Sequence, residues 1–475
     1  MNLFFFNLVR EYKKNKSFRN VCLFSFVCSI IFLTLSISRH LLLHSNAYDL
    51  GLFDQWIWLA SKGEPPFSTM TGLHLFADHG AWTLYLASLV YKVFPSIYIL
   101  LLSQSFSLCL TSIPLWFLCK AKEINDRNSL LIILCWLFQP VVFNINLFDF
   151  HPEVWSMPIL VLYYLFEKNK KFSLCLLMSF FILGTRDGLI LLVFGLGIEQ
   201  FLKKRFWFSL GLFFTSTIWF VFLNNFAYPA LNGDKGTVMA LTRYQAYGSN
   251  FSQIILNIII QPNLLISNID WEGSLFYLFI LFLPVLFFFK RISFQTLTVS
   301  IPLLLTNILS ESSAQRDLVH QYSLPISLII IISLINGFKK NNQYFKYKFR
   351  LIWILLCWSA LAKPWFFTGP YLDRISLIKS SNEAFEMIHK KTNVITTSYL
   401  VPHLSQRKLI KFPNNKNQLD ADFKKYEILL LNPQDPGWGS SKEIQNYYLK
   451  SAKEKGWDCK VWLNGQEFCR KKLNS

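Results

Sequence analysis

Carboxylates, imidazoles and guanidinium groups collect at four places in this sequence, and each place offers a chemistry. The first is Tyr48–Ala60, YDLGLFDQWIWLA, with Asp49 and Asp54. A carboxylate at either position can take a proton from an attacking hydroxyl. The plainer alternative makes Asp49 a helix N-cap and Asp54 a solvated face residue. The same region runs on to ADHGAW, where Asp78 and His79 precede a second amphipathic stretch, Trp82–Val93. The second place is NLFDFHPEVW, with Asp149, His151 and Glu153. Pro152 with an acid beside it reads as a helix start. That reading leaves Asp149 and His151 unexplained. The three together offer ligands to a divalent cation, the one cofactor this part of the chain suggests, although their spacing matches no standard motif. The third is GTRDG, where Arg186 and a helix N-terminus can hold a phosphate. Alternatively Asp187 caps the next helix and Arg186 pairs with it. The fourth is ESSAQRDLVHQY, with Arg316, Asp317, His320 and Tyr322. It reads as a solvated loop by default, and as a phosphate site if Arg316 and His320 converge on the face that carries Asp49.

The elements that must position these groups are read from composition. The chain has 475 residues, 53% hydrophobic and only 16% charged, where soluble proteins carry about 25% charged residues. The apolar residues come in long runs, so a disordered chain and a disulfide-dense secreted domain are excluded. A polytopic, all-α membrane bundle is expected. The net charge of +19 sits between apolar runs as an insertion signal, so nucleic acid is not an expected partner. Seven of the nine cysteines lie in or beside apolar runs, without zinc spacing, and read as small core residues. Apolar runs at Val21–Ser38, 96–119, 129–147, 153–167, 172–184, 188–202, 206–223, 273–289, 294–309, 323–338 and 351–367 give about eleven membrane helices, or nine if 172–184 and 188–202 only dip into the bilayer. Lysine and arginine concentrate in alternate loops, among them Lys120, Lys122 and Arg127, then Lys203, Lys204 and Arg205, then Lys339, Lys340, Lys346, Lys348 and Arg350. The intervening loops carry few, Lys235 and Arg243 among them. The positive-inside rule then places the N-terminus inside and the C-terminus outside. The expected organisation is a cytoplasmic segment 1–20, a membrane domain 21–367 with outer loops 39–95, 148–152, 224–272 and 310–322, and an extracytoplasmic domain 368–475. Gln139-Pro140 with Asn144 is the best candidate for a polar group at the bilayer midplane.

Segment 368–475 is polar and rich in Lys and Asn. Strands are expected at Asn393–Tyr399, Lys408–Phe412 and Glu427–Leu431, and a helix at Lys442–Lys455. The segment DCKVWLNGQEFC then reads as a hairpin about a type I′ turn at Asn464-Gly465. Together these make a small α/β domain. Cys459 and Cys469 flank the hairpin, offset from direct opposition by that turn, and are a candidate disulfide in an oxidising compartment.

The motifs YDLGLFDQ, LFDFHPE, TRDG, HQYSLP and VPHLSQR, in this order, resemble the family of bacterial and archaeal predicted membrane proteins that carry a large domain of unknown function. That family is grouped with the GT-C superfamily of membrane glycosyltransferases. The resemblance runs from about Asn46 to Pro433 and implies a GT-C-like bundle with a long first outer loop. It implies a polyprenyl-phosphate-linked sugar as donor and a lipid or glycan as acceptor, at the plasma membrane. Asp49 stands where that superfamily places its first acidic residue, but Leu50 follows it where an acidic pair is usual, so Asp54 is the alternative catalytic carboxylate. Arg186, Arg316 and His320 would stabilise the leaving lipid phosphate. Asp78, His79, Asp149, His151, Glu153 and Tyr322 would bind sugar, acceptor or cation. In the outer domain His403 and Arg407 either contact the acceptor or serve as a loop-stabilising His and a surface Arg. Two other classes compete. A transporter or flippase of a lipid-linked substrate predicts binding groups at the midplane and internal repeats. A non-enzymatic envelope protein tolerates loss of every loop acid. No P-loop and no GxGxxG motif follows a strand.

Overall fold

A computed structural model describes residues 2–233, 239–338 and 347–472. Lys235, Lys339, Lys340 and Lys346 lie outside the described residues. Every one of the eleven apolar runs is helical. Five helical stretches are long and apolar enough to cross a membrane: Lys16–Leu41, Tyr98–Ala121, Asp126–Leu147, Phe206–Asn232 and Trp271–Phe288. The others are shorter and sit among neighbours. Phe172–Leu183 and Ile190–Leu202 have 12 and 13 residues. Close approach is made by small residues: a Cβ on Gly195 would lie 2.1 Å from the Val299 carbonyl oxygen. The main core joins Phe18 and Phe32 of the first helix to Trp116, Trp136 and the Leu324–Asn336 helix, whose side chains from Leu324 to Ile335 are all buried. A helix that is apolar all round belongs at the centre of such a bundle.

Three expectations are revised. The 129–147 run is broken, with helices Asp126–Leu137 and Pro140–Leu147 on either side of Gln139, because Pro140 has no N–H to continue the first. Asn144 is no open midplane group. Its amide donates to the carbonyls of Leu318 (2.9 Å) and Leu361 (3.2 Å), and its oxygen accepts from the Lys363 N–H (2.9 Å). It ties three segments together. Segment 224–272, expected as an outer loop, is likewise no simple loop: it carries helices Tyr228–Asn232, Phe251–Ile260 and Pro262–Asn268. Phe251–Ile260 exposes Phe251, Ile255, Leu256, Ile259 and Ile260, the surface of an element that lies against lipid.

The C-terminal part is an α/β unit, as its sequence pattern indicates. Strands β1 (Val394–Thr396), β2 (Ile410–Lys411), β3 (Ile428–Leu431), β4 (Asp458–Val461) and β5 (Glu467–Arg470) form one sheet in the order β2-β1-β3-β5-β4. The first three strands are mutually parallel, and the β4–β5 hairpin adds antiparallel to β3. Helix Lys442–Glu454 covers one face through Tyr448, Leu449 and Ala452. The hairpin register differs from a two-residue turn at Asn464-Gly465. Trp462 N–H donates to the Gln466 carbonyl (2.9 Å), so Leu463, Asn464 and Gly465 form a three-residue loop. Gly465 takes the left-handed conformation, φ 79°, that such loops need at their last position. The one-residue shift puts Cys459 directly opposite Cys469, and the two are joined in a disulfide.

A structural disulfide persists where the compartment is oxidising. If the sheet domain faces outward, rapid alkylation of intact cells followed by peptide mass spectrometry will recover the Cys459 and Cys469 peptides joined. Recovery as two separately alkylated peptides would place the domain inside.

Candidate functional site

The segment after the Lys16–Leu41 helix enters a wide helical turn, Ala47–Gly51, closed by a bond from the Gly51 N–H to the Asn46 carbonyl (3.1 Å). Its cap is Asn46, whose side chain accepts from the Ala47 N–H (2.7 Å). Asp49 is therefore not the cap, and its carboxylate is left for other work. Helix Leu52–Ser61 follows directly.

Asp149 holds this turn in place. Its carboxylate accepts from the Asn46 N–H (2.8 Å) and pairs with Arg39 at the end of the first membrane helix. Asp149 has φ 98°, a conformation that L residues rarely adopt. Gln104 supports it, donating to the Asp149 carbonyl (2.7 Å) and accepting from the His151 N–H (2.9 Å). Burial pushes the Asp149 carboxyl up to about 6, against the pull of Arg39. His151 then stands with Nε2 3.4 Å from Asp49 Oδ1. Burial works against its charged form, but hydrogen bonding and charge from Asp49 outweigh that and raise its pKa.

Around this pair the four sequence clusters meet. The rings form a row, from His79 to Phe53 (6.3 Å), Phe53 to His151 (6.2 Å), His151 to Phe148 (5.2 Å), Phe148 to His320 (4.4 Å) and His320 to Tyr322 (6.5 Å). Arg186 pairs with Glu153, not with Asp187. The second oxygen of Glu153 is buried with no hydrogen-bond partner among the described residues. Asp187 accepts from the Gly188 N–H (2.8 Å) and from the Tyr228 hydroxyl (3.1 Å), and lies 3.9 Å from His79 Nδ1. His79 Nε2 is 3.2 Å from Asp78. Burial and the neighbouring Asp187 push the Asp78 carboxyl up to about 7. Burial and the nearby Arg186, His151 and Arg243 hold His79 well below its ordinary value. His320 Nδ1 is 2.6 Å from Asp317.

Arg243 is the residue that motif reading missed. Its guanidinium lies over the Tyr322 ring, 5.2 Å from the centroid, and among the described residues no carboxylate pairs with it. The sequence registers it only as a lone outer-loop charge, because the fold, not the spacing, brings it to Tyr322.

Four expected site residues lie elsewhere. Arg316 is held by the carbonyls of Ser310 and Asn307 and by Asp270 (3.0 Å), so it closes a loop rather than facing the row. Asp54 is fully buried, not solvated: it accepts from Tyr91 (2.8 Å), Ser405 (2.6 Å) and Gln406 (3.1 Å), clamping the first segment to the sheet domain. His403 stacks between His40 (4.0 Å) and Phe385 (5.3 Å). Arg407 is buried, not on the surface, and donates to the carbonyls of Leu404 and Thr392 (2.7 Å). Among the described residues no group of three or more His, Cys, Asp or Glu side chains is arranged to hold a metal ion.

Burial raises the Asp54 carboxyl from 3.8 to about 6, opposed by the bonds from Ser405, Gln406 and Tyr91. The folded chain therefore holds this proton more tightly than the unfolded chain. The stabilisation is complete at acid pH and is lost as pH rises through about 6. Thermal melts of Asp54→Asn will show a flatter pH dependence between acid and neutral pH than wild type. Asp54→Ala, which strands three buried donors, will lose about 2–4 kcal/mol at any pH in that range.

The model of a family described as predicted membrane protein (DUF2079) matches residues 39–468. No curated protein matches the chain. Among solved structures, ArnT from Cupriavidus metallidurans in the apo state aligns over 93% of this chain and 97% of its own, at 10% identity and a TM-score of 0.38. A likeness that low says nothing of what this chain does.

Proposed function

The chain belongs to that family of predicted membrane proteins, and we propose that it is a GT-C-type glycosyltransferase. It moves a sugar from a polyprenyl-phosphate carrier to an envelope lipid or glycan on the outer face of the plasma membrane. The observation that carries this reading is the setting of Asp49. Its side chain is 23% exposed and is bonded to His151 rather than neutralised by an arginine, whereas Asp149 and Glu153 are buried in ion pairs. It stands on a turn anchored by Asp149, at the end of the first membrane helix, in the row of rings that ends at Tyr322 and Arg243.

In the proposed reaction Asp49 takes the proton of the acceptor hydroxyl as that oxygen attacks the anomeric carbon. The carbon–oxygen bond to the carrier phosphate breaks, its electron pair leaves with the phosphate, and the configuration inverts. His151 fixes the Asp49 carboxylate. An aspartate is a weak base, so the leaving phosphate must be stabilised, and Arg243 and Arg186 carry that task. The unpartnered oxygen of Glu153 and the Asp78–His79–Asp187 group would hold sugar hydroxyls. The N-terminus is inside and the sheet domain outside in this reading. A transporter finds less support, since the best midplane group, Asn144, has its bonds satisfied within the protein.

Asp49→Asn removes the base and leaves its shape. Transfer should fall by about 10²–10⁴-fold, with the melting temperature unchanged. Mass spectrometry of lipid-linked sugars and envelope glycans in a deletion strain, with and without this variant, reads the outcome. One lipid-linked sugar should accumulate and one glycan should lose that sugar, with no rescue by Asp49→Asn. Full rescue would sink the assignment, and profiles identical to wild type would sink the transferase reading.

The two arginines separate in a second way. Arg186→Gln strands the buried Glu153 and should cost about 3–5 kcal/mol of stability. Arg243→Gln should leave stability intact and raise the KM for the carrier. Equal stability loss in both would remove Arg243 from the site.

A further inference from the structure

Trp438 is 56% exposed, and the structure holds it there rigidly. It stands between Gly437 (φ 70°) and Gly439 (φ 76°), both left-handed. A Cβ at Gly437 would lie 2.5 Å from Ser398 Oγ, and one at Gly439 2.8 Å from Phe412 Cε2. Glycine is required on both sides by conformation and by space. The loop is braced below. The Pro436 carbonyl accepts from Gln445 (2.9 Å), and Asp435 accepts two bonds from Arg374 (2.6 and 3.2 Å). Arg374 also donates to the Leu43 carbonyl (2.9 Å), which links the loop to the chain just beyond the first membrane helix.

The Trp438 ring leans on Tyr48 (4.8 Å) and Phe412 (6.2 Å), and Tyr48 on Phe412 (5.3 Å), all edge to face. Tyr48 immediately precedes Asp49 in the same wide turn. An apolar ring held out by a braced loop, next to a proposed base, marks a contact surface. Its chemistry is set by what surrounds it. The lipid-facing helices expose runs of apolar side chains, as Phe251–Ile260 does. In the sequence Trp438 is flanked instead by polar residues, of which Gln434 is exposed and Asp435 and Ser440 are half-buried. One aromatic face among amides and hydroxyls suits a sugar ring, whose C–H face stacks on the π-system while its hydroxyls bond at the edge.

We infer that Trp438 and Tyr48 form a stacking platform for a carbohydrate, so that the acceptor at Asp49 is a glycan rather than a simple lipid alcohol. The acceptor role rests on the transferase reading; the platform itself does not. The test uses the full-length protein in lipid nanodiscs, titrated calorimetrically with short oligosaccharides of neutral hexose, N-acetylhexosamine and uronic-acid type. At least one type should bind. Trp438→Ala should weaken it about tenfold, the loss expected of one stacking contact. Trp438→Phe should keep most of it, and both variants should melt like wild type. Absence of binding by every type, or equal binding by Trp438→Ala, overturns the platform. Labelling of the Trp438 peptide by a photoactivatable lipid in the same nanodiscs also overturns it, since that ring would then be a membrane anchor. Oligosaccharide binding with no lipid-linked sugar accumulating in the deletion strain sinks the transferase reading and leaves the platform. Transfer with an unchanged acceptor KM in Trp438→Ala does the reverse.

Discussion

The buried carboxylate of Asp149 is the contact on which the turn that carries Asp49 depends. One side of it neutralises Arg39 at the end of the first membrane helix, and the other receives the backbone N–H of Asn46. Between those contacts the chain leaves the helix and enters the wide turn that carries Asp49. A buried carboxylate is costly unless it is paired and hydrogen-bonded, and here both conditions are met by residues that the turn itself must bring into place. The turn and the ion pair therefore form together. The unusual backbone of Asp149 follows from the same demand: its carbonyl must reach Gln104 while its carboxylate faces Arg39 and Asn46.

The same logic separates charged residues whose bonds are used inside the protein from the two to which the proposal gives a reactive role. Asp149, Asp54, Arg407 and Arg316 are charged residues whose bonds are used inside the protein. They join segments that are distant in sequence, such as Asp54 to Ser405, or close loops, as Arg316 does. Asp49 and Arg243 differ: Asp49 meets the His151 imidazole at 3.4 Å rather than an arginine, and Arg243 lies over the Tyr322 ring with no carboxylate paired to it among the described residues. In a medium with little water, a guanidinium without a carboxylate partner acts strongly on any charge that enters.

Much of the fold was legible in the sequence because the bilayer enforces simple rules. Apolar runs of the needed length are helices, and the eleven runs all proved helical. The strands and final helix of the C-terminal domain were legible for the same kind of reason, through short apolar runs between turn residues. The hairpin register was not, because Asn-Gly is compatible with both a two-residue and a three-residue loop, and only the pairing decides. Within the site, Asp49, Asp78, His79, His151, Glu153 and Arg186 were legible as polar residues in places where polarity is expensive. Asp54 and Arg407 carry the same signal for a different reason. Sequence shows that a charge is costly but not what satisfies it, and for these two the partners come from segments folded against them. Arg243 has the opposite problem, since nothing in its neighbourhood marks it until Tyr322 arrives from another segment.

That dependence on distant partners explains why the C-terminal domain belongs to the helical part rather than hanging from it. Val401 and Pro402 press on Gly51, where a Cβ would meet Val401 Cγ1 at 2.9 Å. Gln55 donates to the carbonyls of Arg407 (3.3 Å) and Lys408 (3.4 Å), and Thr69 donates to that of Ile410 (2.6 Å). Leu43 and Ala47 share one apolar core with Leu377, Val401 and Ile428. The wide turn is thus held from below by Asp149 and from above by the loop after β1. A carboxylate on a turn fixed from both sides keeps its position, and orientation set in advance is what the base proposed at Asp49 would need.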